Sequence, residues 1–210
     1  MIRSLILKYK WKLFWKFRSL STAKKYIDNT KLEHRATFVN ILSKYKMKSL
    51  LEIGCGNGAN IWVIQNQYNN NDVSYTGVDI SPAAIELAKS REYDNKNVEF
   101  YKDDAIEFLK KSDTLYDVIL VDAVLMYMTE SEVKKILNIL YQKGKLIILS
   151  ELASSSVMEL NENGFIHNYE KILTEVNMQF QKSKPKRTDP LWKMYGCIFV
   201  IQNGAYGNIG

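Results

Sequence analysis

A chain of 210 residues with 46% hydrophobic and 25% charged side chains is long enough for one domain with a sizeable core, and this balance excludes a disordered or fibrous protein. Two cysteines, Cys55 and Cys197, are too few for a disulfide framework and fit a reducing cytoplasm, while two distant histidines, His34 and His167, make no metal-ligand cluster. The net charge of +6 sits at one end: of 29 Lys and Arg, eight lie in residues 1–26, which carry no acid, and the other 21 face all 23 acids, a net of −2.

Residues 1–30 form an arm that mixes those cations with Trp11, Phe14, Trp15 and Phe17. Lysines interrupt every apolar run well short of the ~20 residues of a membrane span, and no apolar core or small-residue cleavage site marks a secretory signal. Wound as a helix, Ile2, Leu5, Ile6, Tyr9, Leu13, Phe17 and Leu20 share a broad face that Lys16 interrupts. Three readings stand: a helix packed on its own domain or on a second subunit, peripheral contact with an anionic membrane, and a nucleic-acid arm. On a membrane each cation near the surface adds ~1 kcal/mol and the aromatics seat among headgroups, which would place the protein at the inner face.

A domain is expected over 31–203. Thr30 and Glu33 make a capping box for a helix over about 31–46, with Leu32, Phe38, Ile41 and Leu42 at helical spacings. Short apolar runs then alternate with amphipathic ones. Strands are expected at 48–53, 73–79, 97–101, 116–121 and 145–150, and helices at about 58–68, 82–92, 104–111 and 130–141, the second opened by Ser81 and Pro82. Asp117 reads as a turn residue. This alternation means βαβ units and a doubly wound parallel sheet. After a helix around 166–177, "MQFQKSKPKR" and "KMYGCIFVIQ" read as two strands joined by a basic, proline-containing loop with no helix between, an antiparallel hairpin at the sheet edge. Residues 204–210 read as a flexible tail.

The chemistry concentrates in "LLEIGCGNGAN", residues 50–60. Gly54, Gly56 and Gly58 occupy the turn between the first strand and its helix, the place where open α/β sheets bind ligands, and glycine there lets a ligand approach the backbone. "GCGNGA" also satisfies the dinucleotide fingerprint, with Ala59 in the third place, so an NAD-dependent oxidoreductase is one reading. Glu52 opposes it, because an acid at the strand's end disfavours a pyrophosphate and favours a ligand with positive charge. "TGVDIS" places Asp79 at the second strand's tip, within reach of two ribose hydroxyls; "VEFYKDDA" places Asp103 and Asp104 after the third, and "YDVILVDAVLMYM" places Asp122 after the fourth. Acids on four successive tips suit a cationic nucleoside.

In order and spacing these four segments resemble the successive motifs of the class I S-adenosylmethionine-dependent methyltransferases, over roughly residues 45–150. The resemblance implies a Rossmann-like seven-stranded sheet closed by an antiparallel C-terminal hairpin, here with a helical N-terminal extension, and S-adenosylmethionine as cofactor with S-adenosylhomocysteine as product. It implies that Gly54, Gly56, Gly58 and Asn60 line the methionine portion with Glu52 near its ammonium, that Asp79 holds the ribose hydroxyls, and that Ile80 packs on adenine. Asp104 would accept from the adenine amino group with Ala105 beside it, although Asp103 replaces a common glycine and leaves the choice between the two acids open. Asp122 would lie under the methionyl end. Many small-molecule members carry a histidine where this chain has Tyr127; a tyrosine of reference pKa ~10 is a poor base at pH 7, so Tyr127, His167 and Glu151 are all candidates for the catalytic group. The expected acceptor is small, hydroxylated or an amine, and a sugar or lipid-linked glycan suits the basic arm. Nucleic acid is disfavoured because the chain lacks the N/D-P-P-Y/F/W tetrapeptide after the fourth strand. A noncatalytic binding or scaffold subunit is the reading from a different class.

Overall fold

The structure is a computed structural model and describes residues 13–17, 33–68, 72–94, 96–156, 158–160, 164–185 and 189–206. The five apolar runs form parallel strands β1 (Ser49–Ile53), β2 (Ser74–Asp79), β3 (Val98–Lys102), β4 (Tyr116–Asp122) and β5 (Gly144–Leu152). Between and before them lie α1 (His34–Leu42), α2 (Ala59–Tyr68), α3 (Pro82–Ser90), α4 (Ala105–Lys111) and α5 (Glu130–Lys143). A small hairpin of β6 (Met158–Leu160) and β7 (Gly164–Ile166) follows, then α6 (Tyr169–Glu175), β8 (Phe180–Ser183), α7 (Pro190–Tyr195) and β9 (Gly196–Gln202).

The seven-stranded sheet runs β3-β2-β1-β4-β5-β9-β8, with β9 antiparallel to both its neighbours. The chain steps outward from β1 to β3 and returns to β4, so the topological switch lies between β1 and β4, where such sheets open a crevice at the carboxyl ends. Strands are apolar on both faces because both are covered. Leu51, Ile53, Ile119, Val121, Ile147 and Leu149 pack with Val133, Leu137 and Leu140 of α5 and Leu173 of α6. Their alternates Leu50, Val118, Leu120, Leu146 and Ile148 pack with Phe38 of α1, Ile61 and Ile64 of α2 and Ile85 of α3. A one-residue slip of any strand would exchange the two sets.

Several expectations need correction. The first helix is shorter than 31–46, and its capping Thr30 lies outside the described residues. The helix expected over 166–177 is Tyr169–Glu175, because Ile166 closes β7 and His167 bridges to Ala153. The last two strands are not joined by a loop alone: Asp189 accepts from Leu191 N (3.0 Å) and Trp192 N (3.2 Å), Pro190 takes the first helical position, and α7 forms between them. Asp117 is no turn residue but part of β4, where Oδ2 accepts from Lys48 N (2.7 Å) and Oδ1 pairs with Lys145 Nζ (2.7 Å). The first three residues assigned to the tail form a 3-10 turn, Gly204–Tyr206, with the Tyr206 hydroxyl donating to Gln142 O (3.3 Å).

Candidate functional site

The turn from β1 to α2 is held in a conformation that L side chains resist. Gly54 has φ +69°, donates to Val78 O (2.7 Å), and carries no Cβ because one would collide with the Val124 side chain. Gly56 has φ +54° and, by contrast, open space where a Cβ would stand. Gly54 is therefore required by packing, whereas the room above Gly56 is room for something outside the chain.

At the switch point the tips of β1 and β4 bring two acids together through one amide. Glu52, 1% exposed, accepts at Oε1 from Asn60 Nδ2 (2.7 Å), and the same nitrogen lies 3.3 Å from Asp122 Oδ2. Asn60 stands on the first turn of α2, which the glycine turn aims at the tips. Oε2 of Glu52 is buried with no hydrogen-bond partner among the described residues. Burial pushes the Glu52 carboxyl up to about 8; Asp122 and Asp79 add to the rise, and Asn60 and Arg35 oppose it. That oxygen keeps unused hydrogen-bonding capacity near the end of β1, the strand that leads into the glycine turn.

A second group of acids stands at the tips of β2 and β3. Asp79 accepts from Gly56 N at Oδ2 (2.9 Å) and from Ser81 N at Oδ1 (2.8 Å), tying the glycine turn to the next βα turn, while Ser81 caps α3 by accepting from Ala84 N. Ile80 beside it is half-buried. Asp104 caps α4 through Oδ1, accepting from Ile106 N (3.0 Å) and Glu107 N (3.3 Å), with Ala105 as the first helical residue. Asp103 faces Lys111 (3.0 Å) and accepts from Asp104 N (2.8 Å).

On the far side of Asp122 the chain makes a tight loop that begins with Ala123 at φ +59° and continues as a 3-10 turn, Leu125–Tyr127. Its amides converge on Glu151, fully buried at the tip of β5: Oε1 accepts from Val124 N (2.8 Å) and Leu125 N (2.7 Å), and Oε2 from Met126 N (3.3 Å). Burial pushes this carboxyl up to about 8 against those three donors. His167, 1% exposed, sits 3.0 Å from Met128 O through Nε2, so Nε2 carries the proton and donates. Burial lowers its pKa, which keeps the ring neutral, and Nδ1 is buried without a hydrogen-bond partner among the described residues. The loop that carries Tyr127 is thus tied to β5 through Glu151 and to His167 through Met128 O. Its ring packs edge-on against Trp15 of the arm, centroids 5.3 Å apart.

Two site residues come from outside every strand-tip motif. His34 Nε2 lies 3.1 Å from Asp122 Oδ2, and Arg35 Nε donates to Asn60 Oδ1 (2.7 Å), so the first turn of α1 joins the Glu52–Asn60–Asp122 cluster. In the sequence His34 stands out only as one of two distant histidines, and Arg35 does not stand out at all. A signal existed: a cation on a helix's first turn opposes the helix dipole, and Arg35 needs nearby acids to be placed there.

A family profile described as a methyltransferase domain matches residues 44–191. Malonyl-[acyl-carrier protein] O-methyltransferase 1 of Ilyobacter polytropus is 28% identical over 121 residues, covering 56% of this chain and 43% of its own, so the chain spans less than half of that relative. The plantazolicin methyltransferase BpumL, solved with a monoazolic desmethylPZN analog and SAH, superposes with a TM-score of 0.67 at 17% identity, covering 96% of this chain and 98% of its own. Magnesium protoporphyrin IX methyltransferase from Synechocystis PCC 6803, solved with SAH, gives 0.63 at 16% identity and 85% coverage of each chain.

Proposed function

The chain belongs to the methyltransferase-domain family, and from that premise we propose that it moves a methyl group from S-adenosylmethionine to a small hydroxylated or amine acceptor, releasing S-adenosylhomocysteine. The observation that carries the cofactor reading is the buried Oε2 of Glu52, without a hydrogen-bond partner among the described residues, at the strand that leads into a turn with open space at Gly56. In this reading Glu52 and Asp122 receive the ammonium, Asp79 the ribose hydroxyls, Ile80 and Ala105 the adenine faces, and Asp103 or Asp104 its amino group. The cofactor supplies a methyl group already made electrophilic by its sulfonium.

What remains for the protein is to align a nucleophile and exclude water, and orientation alone contributes ~7–11 kcal/mol in favourable cases. Tyr127 forms the wall on which the acceptor lies. Glu151 and His167 hold that wall: a carboxylate that accepts from three loop amides, and an imidazole whose Nε2–H is taken by Met128 O, are positioned to fix the loop. For the acceptor we favour a sugar or a lipid-linked glycan intermediate, because the flat rings of Tyr127 and Trp15 suit a sugar's C–H face and because Trp15 belongs to the basic arm. The arm would then meet an anionic membrane from the cytoplasmic side. Among the described residues no helix is long and apolar enough to cross a membrane.

The test is transfer of labelled methyl from S-adenosylmethionine to free sugars, to short peptides, to malonyl-acyl-carrier protein and to lipid-linked glycans in anionic vesicles. Label in the glycan fraction alone is the expected result. Label in the peptide or malonyl fraction would keep the activity and overturn the acceptor assignment.

A further inference from the structure

Most of the large apolar side chains exposed among the described residues fall in two segments. Leu13, Phe14 and Phe17 are exposed on the arm, and Leu191 and Met194 on α7, with Phe17 at 73% and Met194 at 65%. The helix reads PLWKMY, one charge in six residues, and none of the six is buried. Its faces differ in what they touch. Trp192 and Tyr195, three apart, pack with Tyr127 against Met126, Leu152 and Ile166. Leu191 and Met194, also three apart, share another face and stay exposed. Trp15 of the arm packs on Tyr127, centroids 5.3 Å apart, so both segments adjoin the loop after β4. Exposed apolar side chains gathered in this way mark a docking surface.

Charge says what docks there. From Lys182 to Lys193 the chain holds Lys182, Lys184, Lys186, Arg187 and Lys193 against one acid, Asp189. That carboxylate is taken up by Leu191 N and Trp192 N, and Lys182 pairs with Glu170. The arm adds eight cations over residues 1–26 and no acid. Cations flanking exposed apolar side chains match an anionic lipid surface, where the cations meet phosphates and the apolar side chains enter the headgroup layer. A second copy of the chain fits worse, because a two-fold contact sets the same patch against itself and brings its cations together.

We propose that α7 and residues 13–17 make one docking surface for an anionic membrane, with Leu191 and Met194 as its apolar contacts within the domain. The choice of partner rests on the membrane reading of the arm; the addition is a second contact built into the sheet, between β8 and β9. Docking through both segments holds the loop that carries Tyr127 beside the bilayer, so that an acceptor arrives there from the lipid surface.

Co-sedimentation with vesicles of phosphatidylcholine alone, and of phosphatidylcholine with phosphatidylglycerol, tests this. The wild type should pellet with the anionic vesicles only. Leu191→Ser combined with Met194→Ser should weaken that binding at least about 10-fold with the arm intact. Lys193→Glu should weaken it by about 10-fold, an effect that shrinks as salt rises. Leu13→Ser combined with Phe17→Ser is the arm's counterpart and should weaken it as well. All five positions are exposed, so thermal melts should match the wild type and report that each variant is folded. Wild-type binding by the α7 variants, with loss in the arm variant, would mean that the arm docks alone; this overturns the proposal and keeps the arm reading. A wild type that pellets with neither vesicle, or equally with both, would overturn the two together. If the α7 double variant lowers the mass of the vesicle-free protein in sedimentation velocity, a second copy covers that face and the proposal fails.

Discussion

In the proposed site, cofactor capture is coupled to the acid–base state of Glu52. Its carboxyl, pushed up to about 8 by burial, is mostly protonated at pH 7, and an ammonium arriving beside it favours the ionised form, so binding releases a proton. Affinity should therefore rise as pH rises toward 8, and level off once Glu52 is already ionised in the free protein. Calorimetry at pH 7 in buffers of different ionisation enthalpy should find most of one proton released by the wild type and none by Glu52→Gln; equal release from both would show that Glu52 does not titrate on binding. The glycines separate in the same way. Gly56→Ala should cost only ~1–2 kcal/mol of stability, the penalty of a left-handed L residue, yet weaken S-adenosylhomocysteine at least tenfold. Gly54→Ala should lose more stability, because its methyl enters Val124. Thermal melts with binding assays decide: if the two variants behave alike, the distinction between a packing glycine and a ligand glycine is wrong.

At the scale of elements, the loop after β4 depends on the strand beside it. Glu151 accepts from three consecutive amides of that loop, and Glu151→Ala leaves them without an acceptor in a dry interior. The expected cost is about 3 kcal/mol or more in urea unfolding, while Glu151→Gln, which keeps one acceptor oxygen, should recover part of it. A loss below about 1 kcal/mol for the alanine variant would show that water or a shifted backbone replaces the carboxylate. The parallel strands and their helices were legible to within a few residues because their apolar periods are strong and Ser81 and Pro82 are unambiguous. Short elements were not. The β6–β7 strands are three residues each, too short for a period to register, and the Asp189–Pro190 start of α7 was passed over because six residues of helix look like the end of a loop. The strand-tip acids could be named from sequence because each ends an apolar run. Which of them would be bridged by Asn60, and that Arg35 would arrive from a helix before the sheet, depends on tertiary docking that no local pattern records.

Across the whole molecule, charge and topology divide the work. The sheet order puts the switch point between β1 and β4, so Glu52 and Asp122 meet there without contributing to the core that supports them. The excess of cations belongs to residues 1–26, outside the nearly neutral domain, and of these Trp15 packs on Tyr127 in the loop after β4. The same acids that suit an aminoacyl sulfonium nucleoside repel a pyrophosphate, which makes the choice between the two cofactors that fit "GCGNGA" an electrostatic one. Titration calorimetry of the wild-type protein with S-adenosylhomocysteine and with NAD measures that choice directly. One molecule of S-adenosylhomocysteine per chain should bind and NAD should not; binding of NAD, or of neither ligand, would contradict the account.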